Sequence, residues 1–433
     1  MNPNPHFVRG IQANLLYWGR RVSDAAENRM DELEQERENL YQAVRYGLGV
    51  LQTSEQATEL ALQLFDLVDN GSYWQDWIPV MNLALRQERK PHPWMEAKLR
   101  NRLGQLYRRS HDFAAARAEH RRALTIATSA RDEQARAEAL LELAHVDYEQ
   151  RNYAAAEEHG LEALRIFQQL EAAPKWVAGA YDILGTVAQA RADFAVAQER
   201  LTLAVAMWRR ARRPLDATRI LVVLGNTYWY QGELEKALAC MQEADERLSN
   251  TNSEMDKTNL YLALGTLYDS LERPNEAEQV FRRVNTLYLQ QTENWSLQGN
   301  WLVNMGTVLL KLEQLDEAEA ALRDAIALYE RMDDPGQLGN AQGTLAGVLV
   351  ARGDRVAAVN LYNQAIENLE QAVELDSTFA LAYAELARCH ARVYYLRTDQ
   401  TDERRAMATR CFDPSHWVFA RTGRRQNNCT SGA

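Results

Sequence analysis

Apolar residues along this chain recur at i, i+3, i+4 and i+7, in stretches separated by short polar turns such as Arg109-Ser-His-Asp112 and Gln231-Gly-Glu233. That period puts the apolar side chains on one face of a helix. The pattern therefore predicts antiparallel helix pairs, A and B, almost from end to end. It also repeats. A Leu-Gly/Ala-x-x-(Tyr or apolar) motif begins at Leu103, Leu143, Leu184, Leu224, Leu264, Met305 and Leu345, in steps of 40, 41, 40, 40, 41 and 40 residues. The residue after each anchor is small: Gly104, Ala144, Gly185, Gly225, Gly265, Gly306 and Ala346.

Thirteen residues past the anchors stand Ala116, Ala156, Ala197, Ala237, Ala277, Ala318 and Ala358. Twenty past them stand Ala123, Ala163, Ala204, Ala244, Val284, Ala325 and Ala365. Small residues at fixed places let two helix axes approach closely. The residue after the anchor is expected to face the first alanine of helix B, and the second alanine to receive helix A of the next unit. One hairpin cannot cover its own apolar face, so stacking is required for stability.

These columns, with an aromatic at the turn (Phe113, Tyr153, Phe194), resemble the tetratricopeptide repeat family. The match spans about residues 56–375, with a period longer than that family's usual one. The resemblance implies an all-α, right-handed superhelical solenoid with helix A lining the concave side. The extra residues are expected to lengthen the helices. A degenerate unit precedes the first: Leu64, Tyr73 and Ala84 keep phase, and Trp77 replaces the crossing alanine. Upstream, two further helices are expected over residues 8–50. There Glu36-x-x-Asn39-Leu40-x-x-Ala43 resembles the start of the sensor region of STAND-type NTPase regulators. No Gly-x-x-x-x-Gly-Lys-Ser/Thr occurs, so that resemblance implies a sensor arm without its NTPase module.

The expected organisation is an N-terminal helical cap (1–55), the repeat array (56–375), a degenerate C-terminal repeat (376–412, its anchor Leu386) and a disordered polar tail (413–433). In the degenerate repeat Asp399 holds the crossing place, which shifts the second helix to about 401–411.

Composition narrows the function. Glycine (21) and proline (10) are scarce in 433 residues, as a helical chain requires. The net charge of −11 argues against nucleic acid and anionic membrane as partners. No apolar run is long enough for a membrane span, and the N-terminus lacks a signal-peptide layout. Cys240, Cys389, Cys411 and Cys429 have no metal-ligand spacing, and such low cysteine use suits a reducing, cytoplasmic setting. The sequons at Asn70, Asn294 and Asn428 are then chance matches.

The eight histidines form no His-Glu-x-x-His pair, and there is no nucleophile elbow or phosphate loop. No enzyme, cofactor or metal site is expected. What remains is recognition of a protein or peptide ligand. Five residues before the last three anchors stand Asn259, Asn300 and Asn340, carboxamides that donate and accept and so suit a peptide backbone. They can equally be ordinary polar residues at exposed helix starts. Asn226 belongs to a second polar column. Trp229 and Tyr230 read as an aromatic anchor, or Tyr230 as a residue packing on the turn, and Tyr148 lies farther along its helix. Lys98, Arg108 and Arg109 make the first A helix basic, a seat for a carboxylate. The run Trp208–Arg213 is read as a cationic helix end. The expected function is a non-catalytic peptide-binding scaffold. The alternatives are a STAND sensor arm and an architectural scaffold that uses its convex face and caps, the caps being able to pair two copies.

Overall fold

A computed structural model describes residues 4–24, 30–70, 73–87, 92–249, 251, 253–375 and 380–396. These residues form 22 helices and no strand. The helix expected at 401–411, Asp399, Cys411, the tail from 413 with Cys429 and the Asn428 sequon, and the last two residues of the Asn70 sequon lie outside the described residues.

The first six helices are α1 (Pro5–Asp24), α2 (Met30–Gln35), α3 (Arg37–Leu48), α4 (Ser54–Gln63), α5 (Phe65–Asn70) and α6 (Trp74–Leu85). Seven hairpins follow: α7 (Pro93–Arg109) with α8 (Phe113–Ala130), α9 (Glu133–Glu149) with α10 (Tyr153–Gln169), α11 (Pro174–Ala190) with α12 (Phe194–Arg210), and α13 (Pro214–Tyr230) with α14 (Leu234–Leu248). Next come α15 (Glu254–Ser270) with the pair α16 (Pro274–Phe281) and α17 (Thr286–Gln291), then α18 (Trp295–Lys311) with α19 (Leu315–Met332), and α20 (Pro335–Ala351) with α21 (Arg355–Leu375). The last helix is α22 (Ala380–Tyr395). By contacts the chain divides into two units, residues 1–187 with 206–212, and residues 188–205 with 213–433. The division falls within α11 and α12.

Every A helix from α7 to α20 is 17 residues long, the lengthening that the long period implied. The first-column alanines are all fully buried, as are those of the second column; Val284, also buried, breaks the alanine pattern. The crossing differs in one respect from the expectation. What fills the space over the small residue is the side chain seventeen past the anchor: His120 over Gly104, Met241 over Gly225, Phe281 over Gly265 and Leu322 over Gly306. A Cβ on Gly265 would lie 2.4 Å from the Phe281 ring. The alanine column supplies close backbone, as where the Ala237 carbonyl comes 3.3 Å from that position on Gly225.

Each A-to-B turn has a left-handed residue eight past the anchor: His111, Arg151, Ala192, Gly232, Glu272, Glu313 and Gly353. The next amide then bonds back into the A helix, as Asp112 N to Tyr107 O (2.9 Å) and Gln314 N to Leu309 O (2.9 Å) do. Only two of the seven are glycine, the residue that adopts this conformation without strain.

The B helix of the fifth hairpin is broken at Arg282–Asn285. The β-branched Val284 replaces alanine there, and the Asn285 side chain accepts from Tyr288 N (3.1 Å) to start α17. The Trp301 indole N–H donates to the Phe281 carbonyl at the break (2.9 Å).

In the first unit, the expected N-terminal pair of helices is three, because the regular stretch 31–44 breaks at Glu36. Asn39 donates to Glu36 Oε2 (2.7 Å) at this break, while Leu40 and Ala43 are buried. The Glu-x-x-Asn-Leu-x-x-Ala motif is thus a helix start with its buried face. Trp77 is buried and meets the Tyr41 ring edge-on at 5.9 Å. The degenerate unit is itself interrupted, with Leu64 buried between α4 and α5.

Candidate functional site

On a helix, the positions five and one before the anchor and two and six after it share one face, opposite the anchor. In the second unit this face is rich in amides, and its two cations, Arg219 on α13 and Lys311 on α18, are paired with Asp256 (2.9 Å) and Asp269 (2.6 Å). Its four A helices carry Asn226 on α13, Asn259 and Thr266 on α15, Asn300, Asn304 and Thr307 on α18, and Asn340 and Thr344 on α20. Asn259 is exposed, while Asn226, Asn300, Asn304 and Asn340 are half-buried. The threonine hydroxyls donate to carbonyls one turn back: Thr266 to Leu262 (2.7 Å), Thr307 to Val303 (2.8 Å) and Thr344 to Asn340 (3.0 Å).

Asn300 has a second task. The hydroxyl of Tyr329, fully buried on α19, donates to Asn300 Oδ1 at 2.8 Å. Gly299 makes room for this ring, since a Cβ there would lie 2.6 Å from it. Burial, followed by the charge of Asp334, pushes the Tyr329 hydroxyl far above its ordinary range, so it stays a donor. The carboxamide oxygen of Asn300 is therefore engaged within its hairpin, and its NH2 is what it can offer a ligand. Asn304 was missed in the sequence, although its spacing of four from Asn300 puts it on the same face.

Tyr230 stacks on Phe194 (centroids 5.7 Å apart, 27° between planes), and Trp229 stacks on Tyr230 (5.4 Å, 23°). Tyr230 thus packs on the turn and Trp229, half-buried, extends the stack.

The first unit has charged groups at the same positions. Helix α7 carries Lys98, Arg102, Gln105 and Arg109, and α9 carries Glu138, Glu142, His145 and Glu149. Arg108 pairs with Glu149 at 2.6 Å, and Arg109 holds Asp69 through two bonds of 2.9 and 3.0 Å. Gln105 donates to Glu142, while Arg102 donates to Gln105 Oε1 (2.9 Å) and lies 4.3 Å from the Phe65 ring centroid. The basic stripe read from the sequence thus faces an acidic one. A ligand carboxylate at Arg108 or Arg109 would compete with partners already in place. Lys98 is exposed. Tyr148 lies 6.0 Å from Tyr153 and packs against the core between α9 and α10.

Burial raises the carboxyls of Glu138 and Glu142 above the usual range, nearby cations offsetting only part of the effect. Burial, with Arg108 second, lowers His120 to about 3 and holds His145 well below its ordinary value. Both imidazoles are neutral. His120 contacts Asn101 Oδ1 (3.2 Å), and its Nε2 is buried without a hydrogen-bond partner.

Among the described residues no cluster of His, Cys, Asp or Glu could hold a metal ion, and no helix is long and apolar enough to cross a membrane. Burial pushes the Cys389 thiol up to about 12, which keeps it protonated and unreactive. Asn294, the head of one sequon, caps α18 by accepting from Leu297 N (3.2 Å).

Hairpins of this length and period, closed over small crossing residues, define a tetratricopeptide-type helical-repeat protein. The tetratricopeptide repeat model matches residues 95–169, and the model of the MalT-like TPR region matches residues 185–426. The second match covers more than half of the chain, which belongs to the MalT-like TPR family. No curated sequence matches it. Among solved structures it is similar to a signal transduction ATPase with numerous domains (STAND) and a tetratricopeptide repeat sensor from Pyrococcus horikoshii, with 14% identity and a TM-score of 0.66. That match covers 88% of this chain and 55% of the other, so the chain spans about half of that protein's length. A Rap protein complexed with Competence and Sporulation Factor matches at 15% identity and a TM-score of 0.50, over 90% and 100% of the two chains. The Rap conjugation gene regulator of plasmid pLS20, in complex with the Phr* peptide, matches at 14% and 0.51, over 81% and 95%. At these identities the likeness is one of fold.

Proposed function

We propose that this chain is a non-catalytic scaffold that binds an extended peptide, or an extended segment of a protein, along the inner face of its A helices. The observation that carries this reading is the amide row of the second unit. Asn259, Asn300 and Asn340 stand at one position of successive A helices, with Asn226 and Asn304 on the same face. A carboxamide matches the donor–acceptor pair of a peptide group, so such a row holds backbone with little regard to side chains. Stacked helices keep that spacing before the ligand arrives, which lowers the ordering cost of binding. Two of the similar folds are described as complexes with a factor or a peptide, which supports the same use.

The test is a hydrogen-exchange footprint with a peptide obtained by display selection on the folded protein. Protection of α15, α18 and α20 is expected. Protection confined to α16, α19 and α21 would overturn this reading in favour of the outer face.

A second reading follows from the MalT-like family and the STAND sensor fold: the chain is the ligand-sensing arm of such a regulator. Under it, the inner face passes occupancy on to an NTPase module. Tight binding of a small metabolite that the selected peptide does not displace would favour this second reading.

A further inference from the structure

Asn259, Asn300 and Asn340 hold one position on three successive A helices of the second unit, but their surroundings differ. The residue twenty-four past the anchor, near the end of the hairpin, makes the difference. In the sixth hairpin it is Tyr329, fully buried, whose hydroxyl reaches Asn300 Oδ1 at 2.8 Å. In the seventh it is Leu369, also fully buried, which packs over Gly339 and has no polar atom to offer Asn340. In the fifth it is Tyr288 on α17, which makes no bond to Asn259. Among the described residues the side chains of Asn259 and Asn340 make no hydrogen bond, so donor and acceptor are both open to a ligand.

Burial sets the direction of the Tyr329 bond. A buried hydroxyl proton needs an acceptor, and among the described residues Asn300 Oδ1 is the one it has. With the carboxamide turned over, its NH2 would meet the hydroxyl and the proton would be left unpaired. Gly299 holds the ring in place, with no Cβ to displace it. Oxygen and nitrogen lie on opposite sides of the Cβ–Cγ bond, so an oxygen held toward α19 turns the NH2 away from it. An incoming N–H would have to draw Oδ1 from Tyr329 and strand a buried hydroxyl. An incoming carbonyl requires no such change.

We propose that Tyr329 positions Asn300 as a contact of one polarity, which donates to a carbonyl of the bound peptide and accepts nothing from it. The ligand residue facing Asn300 then needs no N–H, so proline or another N-substituted residue fits there. The residues facing Asn259 and Asn340 must keep theirs. The inference rests on the peptide reading above and adds a specificity to it. Consecutive A helices touch. Packed helix axes lie about 8–10 Å apart, and an extended chain advances about 3.3 Å per residue. The three contacts therefore fall roughly three residues apart along the ligand, with the N–H-independent one in the middle.

The test is an amide-to-ester scan of a peptide obtained by display selection on the wild-type protein. Each ester replaces one backbone N–H by oxygen and keeps the carbonyl. Affinities are measured by titration calorimetry for the wild type, Asn259→Ala, Asn340→Ala and Tyr329→Phe, with unfolding midpoints alongside. In the wild type, esters at two positions about six residues apart are expected to weaken binding about threefold to tenfold. One loss should vanish in Asn259→Ala and the other in Asn340→Ala, and an ester midway should be silent. In Tyr329→Phe the freed oxygen of Asn300 accepts, and the midway ester becomes costly by a similar factor. A tyrosine that only fills space would not produce this gain. A second measurement needs no variant: a peptide with proline midway should bind the wild type within about twofold of its parent. Midway sensitivity in the wild type, midway silence in folded Tyr329→Phe, or a roughly tenfold loss with proline overturns the positioning and leaves the peptide reading standing. If no ester effect depends on Asn259 or Asn340, the peptide reading fails and the positioning with it.

Discussion

At the four positions opposite the anchor, α7 and α9 carry Lys98, Arg102, Gln105 and Arg109 against Glu138, Glu142, His145 and Glu149. The same positions of α18 and α20 carry Asn300, Asn304, Thr307 and Lys311, then Asn340, Thr344, Gly347 and Ala351. The two units share a period, a helix length and a crossing geometry, yet on α7 and α9 these positions are mostly charged and largely self-paired, while on α18 and α20 they are neutral except for Lys311, which pairs with Asp269. The repeat constrains the residues one, thirteen, seventeen and twenty past the anchor, where the helices touch. It leaves the opposite face free, so chemistry can change from unit to unit while the backbone does not.

Breaking a touching position should cost far more than changing a face position. Phe281→Ala is expected to destabilise the second unit by about 3–5 kcal/mol, against roughly 0.5 kcal/mol or less for Asn259→Ala, in urea unfolding followed by circular dichroism. Equal effects would mean that the two classes of position are not distinct.

Asn300 sharpens the boundary between them, because it belongs to both. Asn300→Ala leaves the buried Tyr329 hydroxyl without an acceptor, at a cost of about 1–3 kcal/mol. Removing that hydroxyl as well, in Asn300→Ala/Tyr329→Phe, should recover most of the loss. A double variant no more stable than the single one would contradict the assigned bond.

The two units should also differ in acid. His120 binds its proton at about 3 in the folded chain and at an ordinary 6.5 when unfolded, so the unfolded chain holds more protons between these values. Its neutral burial is fully compatible with folding above 6.5, and stability is lost as the pH falls toward 3. Near pH 5 the loss is about 2 kcal/mol. It should appear as faster amide exchange in α7 and α8, with less change in α18 and α19. His120→Met, the residue type over Gly225, should flatten the slope.

The smallest effect concerns the turns. Ala192 is left-handed where Gly232 and Gly353 stand in other repeats, so Ala192→Gly should stabilise by about 1 kcal/mol. A loss on thermal unfolding would mean that the turn is not strained.

The alanine and small-residue columns were legible in the sequence because the crossings demand them in every repeat. The column seventeen past the anchor was not, since His120, Met241, Phe281 and Leu322 share a place and no chemistry. The turn at eight past the anchor hid for a similar reason, with glycine in only two repeats. The break in the fifth hairpin had one visible sign, Val284 in an alanine column.

Opposite the anchors the polar character was readable but the pairing was not. Arg108 meets Glu149 across 41 residues, Arg109 meets Asp69 across 40 and Gln105 meets Glu142 across 37. Those separations scatter about one repeat, and choosing among them requires the register between neighbouring A helices. Lys98, Arg108 and Arg109 therefore read as a basic seat until the acidic face of α9 was placed beside them.

The most direct test of the central claim is the affinity of a display-selected peptide for the wild-type protein and for Asn259→Ala/Asn340→Ala, by titration calorimetry. This pair spares the Asn300–Tyr329 bond, so the fold is left alone. The amide row predicts binding weakened by about tenfold or more with an unchanged unfolding midpoint. Undiminished affinity in the folded variant would contradict it.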